Sequence, residues 1–465
     1  MLNRRLFLKT AGAAAITSAS IAGRPISFNA HAANTSGYKA LVCVFLLGGL
    51  DNHDVLLPYD QASYTSFTTA RQSLLNRQGS ARQRTALLPI APTNSAILGG
   101  RQVALPPEMP QMKALFDQGR AAIVANVGPL IEPTTRTTFE SGAARVPPRL
   151  FSHNDQQATW QASAPEGAQF GWGGLFADAV LGSGANTGSP EFTTIASTEV
   201  GPFLTGRTAR AYNVDVSGAA TVNALDQLRE NDLSSEERRL LEGLQQQLRA
   251  DGFRGSHILE RDFADAVSGG FRSNAAYDQA RRSGSGLATN FPGTPLGQQL
   301  RSVAETIAVR GQLSVSRQIF YVGIGGFDTH SDQAGSLPML LGQIDGGIAA
   351  FYAAMQELGV SNDVTLFTAS DFGRTLAVNG DGTDHGWGGH SFVVGGSVRG
   401  KQIYGTVPDF SIGHDADSGS GRLIPSVSVE QFAAPLGKWF GLTDSELTSA
   451  LPNLANFDAN QVPFL

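Results

Sequence analysis

The sequence predicts an α/β fold: a doubly wound, mostly parallel sheet with helices on both faces, plus a helical insertion. Three observations predict it. Near-continuous apolar runs occur at residues 40–47, 121–127, 319–324 and 364–368, with a shorter one at 392–394, as expected of strands covered on both faces. Helical patterns alternate with these runs, the arrangement of a doubly wound sheet. Most of the ionisable residues discussed below lie beside the ends of the runs, where such sheets form their sites.

The elements follow in order. "YKALVCVFLLGGLD" is a buried strand that stops at Gly48-Gly49. "PPEMPQMKALFDQG" is helical and leads into the second strand, "RAAIVANVG". "PLGQQLRSVAETIAVR" is a helix ahead of the third strand, "QIFYVGIGGFD", which again ends in Gly-Gly and an Asp. "LLGQIDGGIAAFYAAMQELG" is a helix between the third strand and the fourth, "DVTLFTASDFG". "SFVVGG" is the fifth strand. Between the second and third strands, residues 205–290 read as a helical insertion. It contains "ALDQLRENDLSSEERRLLEGLQQQLRADG", where Ser234 or Ser235 precedes Glu236 and Glu237 as an N-cap. The 54 glycines among 465 residues follow no collagen-like period and indicate loops with special backbone angles.

Residues 1–32 read as a leader rather than as part of the fold. "RRLFLK" is followed by a weakly apolar, Ala-rich run and by small residues at Ala30 and Ala32. The pattern resembles a twin-arginine signal, so the chain is expected to be periplasmic or otherwise exported, with the twin-arginine export machinery as a partner. The remaining 33–465 read as a single α/β domain. No later run is long enough for a membrane span. Loss of the leader removes Arg4, Arg5, Lys9 and Arg24, taking the formal charge from −6 to −10. Nucleic acid is a poor partner for so acidic a chain. Cys43 is the only cysteine, so no internal disulfide can form.

The chemistry-bearing residues cluster near strand ends. "GGLDNHD" carries Asp51, His53 and Asp54; "GGFDTHSDQ" carries Asp328, His330 and Asp332. "ASDFGRT" carries Asp371 and Arg374, and "GTDHGWGGH" carries Asp384, His385 and His390. Asp and His together offer oxygen and imidazole ligands for a divalent cation. Gathered carboxylates repel unless a cation or an Arg neutralises them. A lone Asp-x-His is weak evidence; four such motifs at separate strand ends are stronger. "RLFSHNDQQATWQ" adds Ser152 and His153 at a predicted helix start, where a hydroxyl beside cations can be activated. Arg149 and Arg374 can pair with an anionic group or with the surplus carboxylates.

Together "FLLGGLDNHDVLLP", "RLFSHNDQQATWQ", "GGFDTHSDQ", "SDFGRT", "GTDHGWGGHSFVVGGSVRGKQIYG" and "LPNLANF" resemble the bacterial family called domain of unknown function 1501, over nearly all of 33–465. That family is in turn similar to the alkaline phosphatase and sulfatase superfamily. The resemblance implies an alkaline-phosphatase-like domain with one or two divalent metal ions (Zn, Mn, Mg or Ca). It implies Asp51, Asp328, His330, Asp371 and His385 as metal ligands. Ser152 falls where the superfamily's nucleophile sits. Phe372 departs from the pattern, standing where the relatives have a metal-binding His, and Asp328 and His330 are only two apart. His53, Asp54, Asp384 and His390 are further candidate ligands.

The expected function is an exported metal-dependent hydrolase of phosphate or sulfate esters, with an anionic small-molecule or polymer substrate. Ser152, His153 and Arg374 are its candidate catalytic residues. The alternative is a non-catalytic envelope protein that uses a metal-containing cleft to bind a glycan or surface polymer.

Overall fold

All five apolar runs form strands, each continuous enough to be buried from both sides. The computed structural model describes residues 32–216, 218–219, 234–236, 238–239, 243, 258–284 and 286–465. The leader expected over 1–32 lies, but for Ala32, outside the described residues, and so does most of 220–257.

In chain order the central strands are β1 (Lys39–Leu46), β2 (Ala121–Gly128), β3 (Thr194–Ala196), β4 (Tyr212–Asp215), β5 (Gly218–Ala219), β6 (Arg317–Ile324) and β7 (Val364–Ser370). A hairpin follows, β8 (Arg374–Asn379) with β9 (Gly382–His385). Then come β10 (Gly389–Gly395), β11 (Ile403–Gly405) and β12 (Val427–Ser428). The ten-stranded sheet runs β11-β2-β10-β7-β1-β6-β3-β4-β5, with β12 also on β2. Pairing is parallel for β1 with β6 and β7, and for β3 with β6 and β4. The sheet is therefore mostly parallel, but β10 runs antiparallel to both neighbours, β7 and β2.

That reversal positions the site. Parallel strands deliver the residues that follow them to one edge. A reversed strand delivers the residues that precede it to the same edge. His385, four residues ahead of β10, thereby joins Asp51, Asp328 and Asp371, which follow β1, β6 and β7.

Successive side chains of β1 enter opposite layers, as the strand period requires. Ala40, Val42, Val44 and Leu46 belong to one buried core. That core includes residues of α2 (Pro110–Asp117), α6 (Pro295–Ala308) and α7 (Gln333–Glu357). Leu41, Cys43 and Phe45 belong to the other, with α4 (Trp172–Gly182), α8 (Val429–Phe440) and Trp160 of α3 (His153–Ala162). Helices thus cover both faces. A further helix, α1 (Gln61–Gln78), packs against β8. Residues 57–58, 88–90 and 103–105 form a small antiparallel sheet that has no counterpart in the sequence reading.

The interval expected to be a helical insertion, 205–290, begins as sheet edge: β4 and β5 lie within it. The helix α5 (Ile258–Ser283) follows. Tyr277 docks it on α6 through a 2.6 Å hydrogen bond to Thr306. No helix among the described residues is long and apolar enough to cross a membrane.

Candidate metal centre at the strand ends

Three loops converge because glycines let their backbones touch. Gly48 and Gly49 follow β1 with φ of +115° and +89°, a region that favours glycine. A Cβ on Gly48 would run into the backbone of Asp328, and one on Gly49 would strike the ring of Phe372.

At this meeting point His153, His330 and His385 surround one carboxylate. Asp328 Oδ1 lies 3.1 Å from His385 Nε2 and 3.2 Å from His330 Nε2. Asp328 Oδ2 lies 3.4 Å from His153 Nε2. Ligand atoms of His153, Asp328 and His385 all fall within 4.8 Å of one another. The Asp328 side chain is 45% exposed, so the cluster opens to solvent.

The far nitrogen of each ring faces an oxygen. His153 Nδ1–H donates to Asp371 Oδ2 at 2.7 Å. His385 Nδ1–H donates to the carbonyl of Phe151 at 2.7 Å. His330 Nδ1 lies 3.4 Å from Asp384 Oδ1. For His153 and His385, anchoring Nδ1 fixes the tautomer and leaves the Nε2 lone pair free for a cation. Phe151 presents its carbonyl from a left-handed conformation, φ +73°. The electrostatics are local. The hydrogen bond to Asp371 raises His153 above the ordinary imidazole value. Burial lowers His385. Burial acts to raise Asp328, but the buried Arg374 guanidinium that donates to it holds its carboxyl below the usual range.

The other expected site residues lie elsewhere or serve the cluster indirectly. Asp51 is buried against Arg71, whose Nη1 and Nη2 donate at 2.5 and 2.9 Å. Asp54 is buried against Arg82 at 2.7 Å. His53 packs behind them, its Nε2 3.1 Å from the carbonyl of Gly421, and burial pushes it down to about 3. His390 is buried too; its Nδ1 accepts from the amide of Asn126 at 3.0 Å, and burial lowers it to about 4. It does not enter the cluster. Asp371 backs His153 and also receives Gln157 Nε2 at 2.8 Å. Asp384 accepts from Asn379.

Arg374 is fully buried, and each of its three nitrogens donates a hydrogen bond. It donates to Asp328, Thr383, and the carbonyls of Gly48 and Phe327. Arg149 is largely exposed and pairs with Asp155 at 3.2 Å. Ser152 Oγ donates to Asp155 Oδ2 at 3.0 Å, ahead of α3. Phe372 stacks beside the cluster, ring centroids 4.9 Å from His153 and 4.5 Å from His385.

Sequence reasoning missed Gln157, Gln333, Arg71 and Arg422. Gln157 was findable, since it lies one helical turn after His153 and so shares its face. Arg422 Nε donates to the carbonyl of His385 at 2.8 Å, and its guanidinium stacks on Phe151. Nothing local marks it.

The donor set fits a divalent cation: imidazole nitrogens and a carboxylate, with far-side hydrogen bonds in place. Such a set suits zinc or manganese better than magnesium or calcium.

Residues 38–451 match the family model described as "Protein of unknown function (DUF1501)". No curated protein matches the chain. Among solved structures, similarity is found to Ps i-CgsB in complex with k-i-k-neocarrahexaose, at TM-score 0.35 and 10% identity, over 91% of this chain and 78% of that one. A second is the BT33494S-sulf protein described with glycosaminoglycan metabolism by Bacteroides thetaiotaomicron, at TM-score 0.33 and 12% identity, over 88% and 74%. Likeness at these scores carries no argument about activity.

Proposed function

We propose, from the premise that this chain belongs to the DUF1501 family, that it is an exported cation-dependent hydrolase of phosphate or sulfate esters. The observation that carries the reading is the convergence of the His153, His330 and His385 Nε2 atoms on Asp328. His153, Asp328 and His385 hold the cation, with His330 beside them. A cation there supplies Lewis acidity to an anionic ester oxygen.

The chain's own groups supply the rest. Asp371 and the Phe151 carbonyl hold His153 and His385 in orientation. Ser152 supplies the attacking hydroxyl, and Asp155, which already accepts its hydrogen bond, takes the proton. As the Ser152 Oγ–phosphorus or –sulfur bond forms, the bond to the ester oxygen breaks and the alcohol leaves with a proton from solvent. Water then releases the phosphate or sulfate from Ser152. The turn before it is strained: Arg149 has φ +52° and Phe151 φ +73°. Strain of this kind clusters at functional sites. Arg422 supplies positive charge at the rim for the ester's anionic oxygens. The twin-arginine-like leader supports export.

Phe372 favours a second reading. By the sequence resemblance it stands at the position where the superfamily has a metal-binding His, and its ring cannot ligate. In that reading the cleft binds a glycan or surface polymer without turnover.

Metal analysis of protein purified after native export, with turnover of aryl phosphate and aryl sulfate, tests both. The hydrolase reading expects bound zinc or manganese and turnover that Ser152→Ala abolishes. Bound metal without turnover on either ester selects the binding reading. Metal-free, inactive protein sinks both.

A further inference from the structure

Of Asp51, Asp54, Asp328 and Asp371, the carboxylates that follow β1, β6 and β7, three have no room for a cation. Asp51 Oδ1 accepts from Arg71 Nη2 at 2.9 Å and the His53 amide at 3.1 Å. Asp51 Oδ2 accepts from Arg71 Nη1 and Gln333 Nε2, both at 2.5 Å. Two carboxylate oxygens offer about four acceptor sites, and all are taken. Asp54 receives Arg82 at 2.7 and 3.0 Å and Gln78 at 3.0 Å. Asp371 receives Gly48, His153 and Gln157 and is fully buried. Of these four, Asp328 alone keeps an open side.

The guanidinium at Asp51 is itself locked. Arg71 Nε donates to the carbonyl of Leu376 at 3.2 Å, and Nη2 to that of Thr375 at 2.8 Å. Both partners of the pair are essentially inaccessible, at 1% and 0% side-chain exposure. Removing one partner would strand a buried charge. The pair also connects to the cluster by unbroken hydrogen bonds. Gln333 Oε1 accepts from Thr383 Oγ1 at 2.7 Å. Thr383 Oγ1 accepts from Arg374 Nε at 2.9 Å, and Arg374 Nη1 donates to Asp328 at 3.0 Å.

We infer that the centre takes one divalent cation and no second, because the Arg71 guanidinium permanently occupies the carboxylate at the end of β1. The inference rests on the cation-binding reading of the site and limits it. Asp51 is a positioning residue: through Gln333, Thr383 and Arg374 it sets the carboxylate of Asp328, and it never ligates.

The test counts bound ions, not turnover. Metal-stripped protein is titrated with zinc, then with manganese, by calorimetry, and the dialysed complex is analysed for metal per chain. The inference expects one equivalent for the wild type and none for Asp328→Asn. It expects one for the paired variant Asp51→Asn/Arg71→Gln, which removes both buried charges together, its fold checked by circular dichroism. Two equivalents in the wild type would overturn the inference and leave the cation site standing. Loss of binding in a folded Asp51→Asn/Arg71→Gln protein, with cation affinity unrecoverable at tenfold higher metal, would also overturn it. No equivalents in the wild type would sink the cation site itself, and the inference with it. The wild-type count decides the matter even where a variant fails to fold.

Discussion

His330 Nε2 faces His385 Nε2 at 2.8 Å, and both lie beside the same oxygen of Asp328. His385 already donates its Nδ1 proton to Phe151, so its neutral ring turns a lone pair toward His330. Two lone pairs cannot face each other at that distance. A proton on His330 Nε2 or a shared cation resolves the contact. We therefore expect His385→Ala to lose zinc affinity more severely than His330→Ala, whose Nδ1 contact with Asp384 is the longer one at 3.4 Å. Equal losses in calorimetric titrations would contradict this ranking.

Asp371→Asn tests the support behind His153. The asparagine keeps an acceptor for the Gly48 amide but removes the charge that orients the imidazole. Losses at such supporting positions run to about 10–100-fold in metal affinity. A zinc dissociation constant within twofold of wild type would mean His153 is not a ligand.

Arg422→Gln separates anion recognition from metal binding. Its guanidinium is fixed by the His385 carbonyl and the Phe151 ring, outside the ligand set. Metal content should stay unchanged while KM for aryl phosphate rises about tenfold, the loss of one half-buried charge-assisted contact. An unchanged KM would remove Arg422 from the substrate site.

Arg82→Met probes stability away from the cluster. Arg82 and Asp54 are both buried, so the variant leaves an unpaired carboxylate. Breaking such a pair costs about 3–5 kcal/mol. Denaturant midpoints should fall accordingly, and a change below about 1 kcal/mol would indicate that water reaches Asp54.

Glu430 carries a pH signature. It is buried at the start of α8, with Oε1 accepting from Asn453 at 2.9 Å, and burial raises its pKa. A raised carboxyl binds its proton more tightly when folded. Its contribution is therefore fully present below the unfolded value near 4.3 and is lost as pH rises through the folded value. Glu430→Gln should raise Tm at pH 7, and the gain should vanish below about pH 4. Calorimetry at the two pH values decides it; a Tm gain equal at both would point to packing instead of charge.

Much of this molecule was legible along the chain. Five apolar runs gave five buried strands because a strand covered on both faces has no polar side to alternate with. Gly48-Gly49 marked the end of the first strand, and the Asp and His residues near the strand ends marked the edge where the cluster stands. His385 and Asp328 were legible as partners for that reason. The direction of β10 was not, since an apolar run reads the same in either sense. Nor were the short strands at 57–58, 88–90 and 103–105, too brief to carry a period.

What the chain's linear pattern left open was the allocation of charge. Asp51, Asp54, Asp328 and Asp371 look alike in sequence. Arg71 and Arg82 neutralise the first two from a helix and turn 20 and 28 residues away, and Asp371 is taken by His153 and Gln157 from 218 and 214 residues away. Hydrogen bonds and ion pairs act through space over about 3 Å. No local spacing encodes which carboxylate a distant guanidinium will reach. Packing made that choice, and it left Asp328, among these four, open to solvent.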